Sequence, residues 1–219
     1  MGTPAHPAPL GSAGTPLPIE ASARMVTAWA GAENRLYELV GSWAGSTQEP
    51  AAKIYFDACS QHHAWRGRLW AERLPARLVV PAPPGAGGPQ CAGAGGEAAN
   101  GAVVARTEAA LQALAGLEGD AGRLAAYCRV VLARTMAAYQ GWQRRCSPAS
   151  DRPVARVLAL ASADVLADWQ EGNALLASLL DGPYGPEAVT EAAAATSKVE
   201  LVLARRGRRA PAGPPGLSR

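Results

Sequence analysis

The sequence predicts an all-α protein built from helical hairpins, and three observations carry that prediction. Apolar residues recur at steps of three and four over several long stretches, as they do on the buried stripe of a helix. No stretch keeps the strict apolar–polar alternation of a half-buried strand. Hydrophobic residues make up 48% of the 219-residue chain, yet Phe56 is the only phenylalanine and much of that share is alanine, the best helix former. The chain is long enough for one domain with a real core. Because alanine buries little area, leucine, valine and the six tryptophans must supply most of that core.

The elements follow in order. Residues 1–20 are rich in Pro and Gly and read as a disordered segment. A first helix is predicted over about 21–44, with Met25, Trp29, Ala32, Leu36, Leu39 and Trp43 on one seam. "GSTQEP" closes it, with Gly45 suited to a C-cap and Pro50 to the start of the next helix. The second helix is predicted over about 50–74, with Ile54, Ala58, Gln61 or His62, Trp65 and Leu69 on its inner face and Pro75 past its end. So short a connection makes the two helices antiparallel neighbours.

Residues 78–100 contain "PAPPGAGGPQCAGAGGEAAN" and read as a linker. A third helical region is predicted over 101–146, broken or kinked near Gly116, Gly119 and Gly122, with Leu124, Cys128, Val131, Thr135, Ala138 and Trp142 inward. A fourth helix, about 153–180, carries Val154, Leu158, Ala161, Val165, Asp168, Gly172, Leu175 and Leu179 on its seam. A C-terminal helix over 186–205 precedes a basic tail, 206–219, expected to be disordered.

Several function classes lack support. The net charge of +3 is mild, and much of the excess lies in "ARRGRRA" at 204–210. No aromatic residues interleave with that run, so nucleic acid is an unlikely partner by composition and a solvated tail is the simpler reading. The cysteines Cys59, Cys91, Cys128 and Cys146 form no CxxC pair, so neither a disulfide framework nor a zinc finger is expected. No apolar run approaches the roughly 18 residues of a membrane span, and the first residues lack the pattern of a signal peptide. The expected location is the cytoplasm, with no membrane partner. No P-loop, nucleophile elbow or dinucleotide fingerprint occurs, and the glycines at 85–96 read as linker.

The stretch "DACSQHHAWRGRLW" at 57–70 concentrates the chemistry. It places His62 and His63 inside a helix. Asp168 holds a seam position on the fourth helix, with Asp164 one turn earlier. Inward carboxylates need partners, and His62, Arg66 or Arg134 can supply them. His62 or His63 is expected to meet Asp164 or Asp168 across the bundle. A carboxylate so placed favours imidazolium unless desolvation dominates. The tryptophans Trp29, Trp43, Trp65 and Trp142 fall on apolar seams and are expected in the core.

A weak internal repeat links Trp43, Pro50 and Trp65 with Trp142, Pro153 and Trp169. Together with the helix order and "HHAWRGRLWAERLP", it gives a chain that resembles the ferritin-like superfamily over about 21–77 and 120–181. It looks most like small bacterial members, related at a distance to di-iron tRNA hydroxylases. The resemblance implies a four-helix bundle of two antiparallel hairpins joined by a long crossover, occupying 21–181, plus the short C-terminal helix. Catalytic members bind two metals through a Glu from each of two helices and a Glu-x-x-His from each of the others.

Carried over residue by residue, the resemblance implies Glu33 as the first-helix Glu, with Glu38 less well placed. The residue three before His62 is Cys59 and that before His63 is Ser60, so neither histidine has its Glu. No Asp or Glu occurs between Ala121 and Cys146. Asp168-Trp-Gln-Glu171 has the spacing but an acid where His belongs. The candidate polar centre is therefore Glu33, His62, His63, Asp164, Asp168 and Glu171, with Glu33, His62 and Asp168 as the donors if an ion is bound.

The preferred reading is a non-catalytic ferritin-like protein that self-associates or binds a protein partner and needs no cofactor. The alternative is a divergent metal-dependent oxidase or hydroxylase using iron or manganese. A third reading is a nucleic-acid-associated protein that uses the basic tail.

Overall fold

The computed structural model describes residues 19–74, 107–147 and 149–204, and all regular structure among them is helical. Helix α1 spans Ile19–Ser46 and α2 spans Pro50–Ala71. Residues 107–115 are helical and are labelled α3. Helix α4, Asp120–Ala126, runs on through a π-helical stretch, Tyr127–Leu132, into α5, Ala133–Gln143. Helix α6 covers Arg152–Leu180 and α7 covers Gly185–Ala204. The expected break in the third helical region falls at residues 116–119, and Gly122 is helical. The predicted linker at 78–100, the N-terminal segment and the basic tail lie outside the described residues.

Helices α1 and α2 form an antiparallel hairpin, α2 packs on α6, α6 packs on α4 and α5, and α7 lies over α4. The turn between α1 and α2 is tied to the next unit. The Asp120 carboxylate accepts the backbone N–H groups of Gln48 and Glu49, at 2.9 and 2.7 Å. As an acid in the first turn of α4, it also faces that helix's positive end. Glu191 of α7 accepts the Gly122 N–H at 2.6 Å. Gly119 is required at this corner, because its φ is +78° and a Cβ there would collide with the Glu191 carboxylate.

Two aromatic groups dominate the core. Trp43 meets Phe56 edge-on at 5.3 Å between centroids, with Tyr127 beside both. Trp29 meets Tyr139 at 4.5 Å, and Trp70 packs against both. Gly172 of α6 leaves room for close side chains, since an added Cβ there would strike Cys128 Sγ and the Tyr55 hydroxyl.

The inner face of α2 differs from the predicted one. Ile54 is 72% exposed and Trp65 38% exposed, whereas Tyr55, Phe56, Cys59, Ser60, His63, Arg66, Gly67 and Trp70 are buried. The true stripe is rotated by about one residue. Five of these eight, Cys59, Ser60, His63, Arg66 and Gly67, are polar or small, so apolar spacing alone favoured the wrong face. On α6 the predicted seam matches the buried side at Val154, Leu158, Ala161, Val165, Asp168 and Gly172. Of the tryptophans expected inside, Trp43 is buried, Trp29 and Trp142 are half-buried, and Trp65 is exposed.

Candidate polar centre between α1, α2 and α6

Arg66 lies at the middle of the bundle and is fully buried. Its Nε donates to Glu33 Oε2 of α1 at 3.1 Å, and its Nη1 donates to Asp168 Oδ2 of α6 at 2.9 Å. Nη1 also donates to Asp164 Oδ2, whose side chain is 22% exposed. One guanidinium thus joins carboxylates from two other helices. Burial disfavours its charge, but the fields of Glu33 and Asp168 prevail and hold its pKa above the ordinary arginine value. Arginine suits the position because its planar fork of donors reaches several acceptors at once.

His63 and Glu33 form the second half of the network. His63 Nδ1 is 2.6 Å from Glu33 Oε2, and Nε2 is 2.8 Å from the Tyr127 hydroxyl. Burial would raise the Glu33 pKa, but the hydrogen bond from His63 and the charges around it hold the carboxyl below its usual range. For His63, burial prevails over the pull of Glu33 and lowers its pKa. Burial thus disfavours the charged ring, while the surroundings of Glu33 favour its carboxylate. Nδ1 faces the Glu33 carboxylate, which can only accept, and Nε2 meets the Tyr127 hydroxyl, which can do either. Arg66 Nη2 lies 2.9 Å from the same Nδ1, a close approach that further discourages a second ring proton. Tyr139 donates to the other Glu33 oxygen and accepts from Trp70 Nε1 at 3.2 Å.

The π-helical stretch bears on this geometry. It starts at Tyr127, and both Tyr127 and Cys128 are fully buried against α2 and α6. π-turns recur where a helix presents side chains to a functional centre. Tyr55 donates to the Asp168 backbone carbonyl at 2.7 Å and sits 3.5 Å from Cys128 Sγ. Burial pushes the Cys128 thiol up to about 12 and raises those of Cys59 and Cys146, which disfavours the thiolate form of each.

The sequence-derived candidates divide as follows. His62 Nδ1 lies 2.7 Å from Asp168 Oδ1 at the solvent-facing edge. His63 pairs with Glu33, and Asp164 and Asp168 meet on Arg66. Glu171 is exposed on the outer face of α6 and does not join the centre, because it stands three residues past the inward Asp168 and just before the inward Gly172. Arg134, offered as a partner, instead pairs with Glu200 of α7. The expected ion donors Glu33, His62 and Asp168 do not converge, since Glu33 belongs to His63, Arg66 and Tyr139. The three-donor group that does converge is Cys59, His62 and Asp168. Sequence reasoning missed Tyr127 and Tyr139. Their signal was faint: two tyrosines in alanine-rich helix, "AAYC" and "AAYQ".

A di-iron centre does not fit these residues. A permanent cation occupies the space between the carboxylates of α1 and α6, and α4–α5 offers no carboxylate between Ala121 and Gln143. Comparisons with protein-family models, curated proteins and solved structures found no match. Among the described residues, no helix is long and apolar enough to cross a membrane.

Proposed function

We propose that this chain is a ferritin-like helical protein in which an ion-pair network stands where catalytic relatives hold two metals. On this reading it acts by packing against itself or a protein partner, and not by oxygen chemistry. The carrying observation is Arg66, buried and bonded to Glu33, Asp164 and Asp168. A fixed guanidinium repels a metal pair and consumes the carboxylates that would bridge it. The order of the helices supports the reading: the hairpin α1–α2 is separated from α4–α5 and α6 by a long intervening stretch, residues 72–119. With the interior committed to structure, the surface is left to act. Tyr184, Val189 and Leu201 present exposed apolar groups on and beside α7.

The test is iron loading of untagged protein without oxygen, followed by air. Oxygen uptake and ferric absorbance should match the buffer blank. Rapid oxidation of two irons per chain, abolished by Glu33→Gln, would overturn the proposal. Sedimentation over a range of concentrations then separates the two modes of action. A reversible oligomer assigns self-packing, and a monomer throughout assigns the surface to a different protein.

A further inference from the structure

We infer that Cys59, His62 and Asp168 form a binding site for one thiophilic divalent cation of the zinc class. The inference is independent of the reading above, since one such ion at the edge of the centre requires no oxygen chemistry. Cys59 and His62 stand three residues apart on α2 and so project from one face, and Asp168 comes across from α6. One donor atom from each lies within 4.8 Å of the other two. Zinc–sulfur and zinc–nitrogen or –oxygen bonds of about 2.3 and 2.0–2.2 Å place donors roughly 3–4 Å apart around a tetrahedral ion. The Cys59, His62 and Asp168 atoms therefore need only small shifts, chiefly an opening of the 2.7 Å contact between His62 and Asp168.

Charge favours a cation here. Glu33, Asp164 and Asp168 gather around a single guanidinium, and burial disfavours the charged form of His63. The cluster therefore carries more negative than positive charge unless something at the Asp168 edge balances it. The Asp168 carboxylate is also pre-aimed. Arg66 holds Oδ2 at 2.9 Å, and Oδ1 is turned toward His62. A ligand oriented by a partner on its far side is the usual arrangement at protein metal sites. The His62 side chain is 43% exposed and faces solvent, whereas Cys59 and Asp168 are buried. The thiol selects the ion. Sulfur with imidazole and one carboxylate suits zinc, whereas magnesium and calcium prefer oxygen alone. Binding releases the thiol proton to solvent and leaves one coordination position for water.

The test uses the full chain, untagged, reduced and stripped with chelator, titrated with cobalt(II) chloride without oxygen. The expected result is a thiolate-to-cobalt charge-transfer band with intense tetrahedral d–d bands, saturating at one ion per chain and reversed by zinc. Cys59→Ser should abolish the charge-transfer band. His62→Ala should weaken binding by more than the roughly tenfold lost when a supporting group is removed. Cys146→Ser should change nothing. Asp168 also bonds Arg66, so Asp168→Asn carries a folding risk. The half-exposed His62 does not, and its variant keeps the test decisive. Absence of the band at millimolar cobalt, or a band that survives Cys59→Ser, would overturn the assignment and leave an imidazole–carboxylate hydrogen bond beside an inert thiol.

Discussion

Replacing Arg66 with methionine keeps most of the side-chain volume and removes the charge. Two of the three carboxylates it serves are buried, Glu33 at 1% and Asp168 at 2% exposure, while Asp164 reaches water. Removing one partner of a buried ion pair costs about 3–5 kcal/mol, because a buried charge is left uncompensated. Protonation limits that loss. Neutralising a carboxyl of ordinary pKa about 4.3 at pH 7 costs about 3.7 kcal/mol, at 1.36 kcal/mol per unit. A variant facing a larger penalty takes up a proton instead. The expected loss at pH 7 is therefore about 3–4 kcal/mol, a large part of the roughly 5–15 kcal/mol of a typical domain. The sign of its pH dependence follows. The folded variant binds a proton that its unfolded chain does not, so its stability rises as pH falls from 7 towards 5 and the gap to wild type narrows. Urea denaturation followed by circular dichroism at several pH values measures this. A loss below about 1 kcal/mol, or one that does not change with pH, would refute the claim that Arg66 neutralises buried carboxylates. Adding Glu33→Gln to the variant should recover part of the loss, the mark of coupled sites.

Glu33→Gln alone tests the linkage in wild type. The folded-state pKa of Glu33 is depressed, so its contribution is complete above the unfolded value and lost as pH falls through the folded one. The variant should be less stable than wild type near pH 7, with the difference shrinking on acidification; melting curves that stay parallel from neutral to acid pH would contradict this. Tyr127→Phe leaves His63 Nε2 buried without its hydrogen-bond partner, at a cost of about 1–3 kcal/mol, and nitrogen NMR should show the His63 ring resonances shift. Two glycines should respond with opposite signs to alanine. Gly172→Ala forces a methyl into Tyr55 and Cys128 and should cost about 1–3 kcal/mol in denaturant titration. Gly31→Ala, on an exposed helical position with nothing within 4 Å, should gain roughly 0.5–1 kcal/mol.

The helices were legible because periodicity and punctuation agree. Pro50 and Pro153 open α2 and α6, and the predicted starts and ends of α1, α2, α6 and α7 fall within three residues of those observed. The α6 seam was legible down to the inward Asp168, because leucine, valine and alanine mark both sides of it. On α2 the same method failed. Its buried stripe contains Cys59, Ser60, His63 and Arg66, which no hydrophobic pattern selects, and the exposed Ile54 and Trp65 pulled the prediction to the neighbouring face.

The sequence by itself determined the helical class and the helix order, and offered candidates for the inward charges, Glu33, the histidine pair, Arg66 or Arg134, the two aspartates and Glu171, of which Arg134 and Glu171 lie elsewhere. It could not assign partners among them. His62 and His63 are adjacent, yet one reaches Asp168 at the edge and the other Glu33 in the interior. Consecutive positions on a helix point about 100° apart, so a rotation of one residue exchanges their roles. That rotation is set by large side chains meeting across helices: Phe56 against Trp43, Trp70 against Trp29 and Tyr139, and Gly172 admitting Tyr55. Only the packed structure combines these contacts, and it alone turns a list of inward charges into a network with Arg66 at its centre and a three-donor corner at its rim.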